Sequence, residues 1–437
     1  MALSDFMNEA ARFDSRGRLD NPAALNAFTE RLGQGHRQDL LVLSHGWNND
    51  EPAARQLYDT LLSSLLTVAS DQGDSSVADR LAVLAVYWPS RQFSFDFDEL
   101  LQRGGAAAAG PRGAARSLLD ALLGDLRTLC DSDAERAGVD RALTLTENLE
   151  DLRSAQDAFV AALLPLAADT DDAGAGDALP PGGDRLAGRD VLDRLGRPLP
   201  AAPEREGEIA GGAAGLGDLL GGIGRGAATF LNLLTFWKMK KRAGTIGQDG
   251  LAPQLDRLRQ SLADTRPALR LHLAGHSFGA RLVTAAVSRL AAPATSLTLL
   301  QGAFSHHGFA ENFRGDRDGA FRSVIDGARV SGPIVVSHTR NDRAVGLAYP
   351  LASRLSRDDA SALGGPGDRF GGLGSNGAVR TAEADALTME DAAHRYQFPA
   401  GRISNLRADD HVRKHSDVGN PAVANALHAA MRAPEPA

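Results

Sequence analysis

One cysteine, Cys130, stands among 437 residues. A lone thiol excludes an internal disulfide and any cysteine-based zinc site. Long apolar runs are missing as well: the strongest stretch, 228–239, falls short of the about 20 apolar residues that a membrane-spanning helix needs. The first residues, Met1-Ala2-Leu3-Ser4-Asp5-Phe6, lack the basic-then-apolar profile of a secretory leader, so the expected compartment is the cytoplasm. There is no cationic excess, since 47 Lys and Arg against 55 Asp and Glu leave a formal charge of -8. A nucleic-acid partner is therefore not expected, because binding phosphates requires a basic face. What remains is 43% hydrophobic and 23% charged over 437 residues. That suffices for a large core, as one sizeable domain with insertions or as two.

Buried strands alternate with helical patterns along much of the chain. A continuous apolar run over 39–44 stops at His45-Gly46-Trp47, and a second, over 81–88, stops at Pro89. Leu57, Leu61, Leu62, Leu65 and Leu66 fall on one helical face between them. Further strands are expected over 269–274, 296–303, 332–338 and 402–406, with helices over 251–263 and 421–431. This alternation predicts βαβ units and a mostly parallel sheet. The segment 13–17 reads as an outer strand entering a turn, and Asn21-Pro22 as a helix start. Between 91 and 248 the alternation fails. This insertion opens with Phe93, Phe95 and Phe97 at period two and continues with helical segments near 115–130 and 143–167. An Ala, Gly and Pro-rich tract over 168–217 follows, expected to be flexible for want of large apolar residues. The apolar stretch 228–237, with Phe230, Leu231, Leu234, Phe236 and Trp237, ends in Lys238, Lys240, Lys241 and Arg242. It predicts a helix packed over the core, its basic end complementing its own dipole; contact with a membrane surface is the alternative. The expected organisation is 1–90 and 249–437 as one core and 91–248 as a cap.

The chemistry is signalled at Leu271-His272-Leu273-Ala274-Gly275-His276-Ser277-Phe278-Gly279-Ala280-Arg281. Gly-x-Ser-x-Gly alone arises by chance roughly one time in three in a chain this rich in glycine, so the context decides. A strand pattern precedes the serine. Leu282, Ala285, Ala286 and Leu290 follow at helical spacing. A serine on such a turn projects its hydroxyl clear of the backbone, and small neighbours, Gly275 and Gly279, allow the strained conformation.

The ordered strand and His-Gly loop, strand and Trp-Pro, elbow, late strand with aspartate, and final histidine before a terminal helix resemble an α/β-hydrolase. The likeness covers roughly 39–90 and 251–431. It implies Ser277 as nucleophile, Asp342 as acid and His415 as base. Asp326 and Asp358 are rivals for the acid, and His411 and His394 for the base. The oxyanion donors implied are the backbone amides of Phe278 and Trp47. His45, Gly46, His276, His306, Phe230 and Trp237 are candidates for the pocket, though His306-His307 also suits a polar loop.

Two other patterns carry no cofactor or metal assignment. Gly372-Leu373-Gly374-Ser375-Asn376-Gly377 matches a dinucleotide fingerprint, but it follows a loop and no clear helix opens from it. His272 and His276 have metal-ligand spacing for a helix but sit on a strand and its turn. The expected activity is cleavage of a small-molecule carboxylic ester without cofactor or metal. A medium or long acyl group is favoured if the cap governs access. Acyltransferase, thioesterase and peptidase activities, or a binding scaffold without catalysis, are the alternatives. The sequence leaves the oligomeric state open.

Overall fold

The structure is a computed structural model and describes residues 2–90, 110–166, 187–197, 222–313, 317–342, 345 and 371–433. Its centre is an eight-stranded sheet: β1 (Met7–Arg12), β2 (Asp39–Ser44), β3 (Leu81–Tyr87), β4 (Arg270–His276), β5 (Ser296–Leu300), β6 (Ile334–His338), β7 (Ala384–Thr388) and β8 (Ile403–Arg407). The spatial order is β1-β3-β2-β4-β5-β6-β8-β7, and every neighbouring pair is parallel. Strands β2 and β3 are buried along their whole length, as expected of apolar runs covered on both faces.

The edge strands depart from the sequence reading. The outer strand is Met7–Arg12, immediately before the segment 13–17, and β7 has no counterpart among the expected strands. Both are half-exposed and rich in polar residues or alanine, so neither carries the apolar run that marks a central strand. The outer edge of β1 is closed by Asn21, whose side chain accepts from Arg12 N (3.0 Å) and donates to Ala10 O (2.6 Å). Blunting an edge this way removes a template for pairing with another chain.

One face of the sheet carries α1 (Pro22–Gln34) and the other α2 (Glu51–Asp71). The insertion contributes α3 (Gly110–Thr128), α4 (Asp133–Leu145), α5 (Arg153–Leu163), α6 (Gly188–Gly196) and the long α7 (Gly222–Thr245). The segment read as one helix over 143–167 is split, with α4 ending at Leu145 and α5 beginning at Arg153. Inside the tract expected to be flexible, α6 is ordered: Val191, Leu192 and Leu195 are buried. Its backbone meets that of α7 directly, because a side chain at Gly226 would strike Leu192 O and one at Gly196 would strike Gly222 O. Few large residues are needed where backbones touch. The rest of 168–217, and the Phe93, Phe95 and Phe97 pattern, lie outside the described residues.

Helix α7 packs over the core as expected, with Phe230, Leu231, Leu234 and Trp237 buried. Two cations of its basic end have tertiary partners. Lys238 Nζ lies 2.7 Å from Glu135 Oε1, and the Arg242 guanidinium donates to Pro89 O at 3.0 Å. A π-helical turn, Ile246–Leu251, joins α7 to α8 (Ala252–Leu262). After β4 comes α9 (Phe278–Val287), and α10 (Pro421–Arg432) closes the chain against α2. Parallel sheet, flanking helices and helical cap together make an α/β-hydrolase-like fold. Among the described residues no helix is long and apolar enough to cross a membrane.

Candidate active site

The carboxyl ends of β2, β4, β6 and β8 lead into the loops holding His45-Gly46-Trp47, Ser277, Asp342 and His415. In a parallel sheet this edge is where ligand-binding loops converge. Ser277 stands between β4 and α9 at φ 58° and ψ -122°, a strained conformation for a residue with a side chain. The two glycines are needed because of how tightly the chain turns. A Cβ at Gly275 would strike Gly279 O, and one at Gly279 would lie 2.5 Å from His45 O. We expect Gly279→Ala to cost about 2–3 kcal/mol through overpacking against backbone that has no room to yield. Chemical denaturation would measure it, and an unchanged midpoint would contradict this account of the elbow.

Ser277 Oγ is 2.8 Å from His415 Nε2, and His415 Nδ1 is 2.8 Å from Asp342 Oδ2. Asp342 Oδ1 accepts from Val345 N at 3.0 Å. The three residues therefore form a connected relay: the serine hydroxyl donates to the imidazole, and the imidazole's Nδ1–H donates to a carboxylate with no exposed side-chain surface. The place of the base is taken by His415, which bonds both Ser277 and Asp342, and the rivals His411 and Asp326 have other bonds. The His411 amide donates to Ala408 O, and Asp326 pairs with Arg322 at 2.9 Å. His394 sits beside Tyr396, and Asp358 is outside the described residues.

Residues that the sequence did not single out hold the acid and base loops together. Asn341 Nδ2 donates to Asp409 O (2.8 Å) and Val412 O (2.9 Å). Asp409 accepts from Thr339 Oγ1 and Arg340 N, both at 3.0 Å. Burial opposes the charge on Asp409, but these bonds and the Arg340 guanidinium prevail and hold its pKa below the usual carboxylate range. Asn420 caps α10 and also donates to His411 O and Asp417 O, so the base loop is fixed at both ends.

His45 is a strut. Its ring stacks on Trp88 at 5.6 Å, Nε2 accepts from Trp88 N at 3.3 Å, and Nδ1 lies 2.9 Å from Gly46 O. The Trp88 indole N–H donates to His45 O at 3.0 Å. Burial lowers the imidazole pKa to about 4, so the ring is neutral, as one donor and one acceptor nitrogen require. Gly46 lies against the nucleophile: a Cβ there would sit 2.6 Å from Ser277 Cβ. Trp47 meets the Phe278 ring edge-on at 6.1 Å, and Phe236 of the cap meets it at 5.0 Å. Phe230 and Trp237 are buried in the core. His306 is fully buried, with its Nδ1 3.1 Å from Asn376 Nδ2.

A second Ser-His-Asp set lies at the opposite edge of the sheet. His272 Nδ1 is 2.8 Å from Ser296 Oγ and its Nε2 is 3.2 Å from Asp39 Oδ1. The nitrogens are used in the reverse order, both His272 and Ser296 are fully buried, and Asp39 is paired with Arg270 at 2.7 Å. Ser296 is the first residue of β5 and is fully buried, not raised on a turn, so nothing there presents a nucleophile. Both ring nitrogens of His272 thus have side-chain partners. The contrast shows what distinguishes the carboxyl-edge set: an elbow, a helix N-terminus and a glycine loop at the same hydroxyl.

Comparison with known proteins finds no matching family model, curated protein or solved structure. The assignment rests on the geometry of fold and site.

Proposed function

We propose that this protein is a serine hydrolase that cleaves a small-molecule carboxylic ester through an acyl-enzyme on Ser277. The observation that carries the reading is the Ser277-His415-Asp342 hydrogen-bonded relay built on a positive-φ elbow. Ser277 Oγ would attack the ester carbonyl carbon as its proton passes to His415 Nε2. The tetrahedral intermediate would collapse with loss of the alkoxide, which takes that proton and leaves as alcohol. Water, deprotonated by the same nitrogen, then adds to the acyl carbon, and the bond to Ser277 Oγ breaks as Oγ takes the proton back from His415, releasing the acid.

The oxyanion donors in this reading are the amides of Phe278 and Trp47. Phe278 opens α9, so its N–H has no intrahelical acceptor and lies at the positive end of the helix dipole. The approach of Gly46 to Ser277 supports Trp47 as the second donor. Each donor would contribute about 3 kcal/mol to the transition state. Acyl preference is assigned to the cap over 91–248, supported by the Phe236 contact with Phe278 beside a nucleophile only 4% exposed.

The test is labelling by a fluorophosphonate, followed by turnover of p-nitrophenyl esters from acetate to palmitate. We expect labelling of the wild type, loss in Ser277→Ala, retention in Ser296→Ala, and faster turnover of medium acyl chains than of acetate. A folded wild type that neither labels nor turns over any ester would favour a binding scaffold. Strict preference for acetate would overturn the role given to the cap.

A further inference from the structure

We propose that His276 is a positioning residue, an imidazole wedged between the base loop and the glycine loop that sets where His415 stands relative to the nucleophile. The inference rests on the hydrolase reading and adds a residue to its machinery. His276 is the last residue of β4. Strand alternation places it on the face of His272 and Ala274, towards α2 and α10, so the base loop lies over it. Its Nε2 is 2.9 Å from the backbone carbonyl of His415 itself, across 139 residues of sequence, and the two rings are 4.8 Å apart. A carbonyl accepts only, so Nε2 carries the hydrogen and donates. Nδ1 is then a bare lone pair, and it is buried without a partner. On its other side the ring abuts the glycine loop: a Cβ at Gly46 would lie 3.2 Å from His276 Nδ1.

One small ring therefore touches both loops that flank Ser277. An unpaired buried nitrogen is a cost that a purely structural residue would not need to carry, since an apolar side chain would fill the space. Retaining an imidazole there is explained by the bond its other nitrogen makes. Burial, and next the neighbouring His415, push the His276 pKa down to about 3. The ring thus stays neutral while His415 becomes an imidazolium, and adds no repulsion to that state.

The test uses the geometry of the donor. A glutamine amide nitrogen can occupy the place of Nε2, whereas an asparagine amide reaches only the place of Nδ1. Steady-state kinetics on p-nitrophenyl butyrate should show H276Q within about threefold of wild-type kcat. H276N and H276F should lose about 10- to 100-fold in kcat, with KM changed less than twofold, because displacing a catalytic group by about 1 Å costs this much. Equal activity in H276N and wild type would overturn the proposal, as would H276Q falling as far as H276N. An H276N protein that fails to fold would also overturn it, since the ring would then be serving the fold. Phosphonate labelling of the wild type separates the two readings. A wild type that does not label refutes the hydrolase, and one that labels alongside an equally active H276N refutes only the role of His276.

Discussion

Ser277→Ala is expected to lower kcat on a p-nitrophenyl ester by a factor on the order of 10⁶, His415→Ala by a similar factor, and Asp342→Asn by about 10⁴. The magnitudes follow from what each removal leaves behind. Without the hydroxyl there is no acyl-enzyme, and without the imidazole no group takes its proton. Without the carboxylate, a base that now bonds Ser277 at 2.8 Å would stand in an unfixed tautomer. The losses should not add. Ser277→Ala combined with His415→Ala should be no slower than either single variant, because the residues act on one proton transfer. Additive losses would show that the relay is not a functional unit. Melting temperature serves as the control. Alanine fits the space left by serine, so the fold should hold, and a large drop in stability would mean that the activity loss reports unfolding.

Much of this site was legible in the chain because its defining geometry is local. A strand, a tight turn and a helix over 270–287 form one continuous segment, and Gly275 and Gly279 are demanded by backbone within that segment and the adjacent loop. The acid could be read because it follows the apolar strand β6, and the base because it precedes the terminal helix, both at places that the resemblance implies. What was not legible depends on residues distant in sequence. His45 reads equally well as a pocket residue until Trp88, 43 residues away, is seen stacked on it. Asp409 and Asn341 look like ordinary loop residues until their loops are brought together. Asp39, His272 and Ser296 become a set only when β2, β4 and β5 lie side by side. Helix α6 escaped for a different reason: of large residues it buries only Val191, Leu192 and Leu195, and glycines let its backbone approach α7 closely, which a count of large apolar residues misses.

The same distance in sequence hides the charge cluster that anchors the carboxyl end of α10, and Asp74→Asn should expose it. Asp74 lies just beyond α2, nearly fully buried, and receives Arg80 Nη1 at 2.5 Å, Arg432 Nη1 at 2.8 Å and His428 Nε2 at 3.0 Å. Arg432 and His428 belong to α10, the helix that the base loop runs into. One carboxylate thus joins α2, the approach to β3 and the terminal helix. The hydrogen bonds from Arg80, with those from His428 and Arg432, hold its pKa well below the usual carboxylate range against the cost of burial. Substitution by asparagine removes the counter-charge of the half-exposed Arg432 and leaves Arg80 with Asp39 alone, 3.6 Å away, and we expect a loss of about 3 kcal/mol at pH 7. The sign of the pH dependence follows from the depressed pKa. The stabilisation is present above the unfolded value of about 4 and is lost progressively as pH falls below it. His428 adds to the fall in acid, because burial lowers its pKa and the unfolded chain gains a proton, below about pH 6.5, that the folded chain refuses. Urea denaturation of wild type and D74N at pH 7 and pH 3 should therefore show a gap that is wide at neutrality and narrower in acid. A gap of the same size at both values would mean that the contribution of Asp74 is packing, not charge. A narrowing gap, with kcat reduced by D74N at pH 7 while the protein remains folded, would tie the buried cluster to the placement of His415.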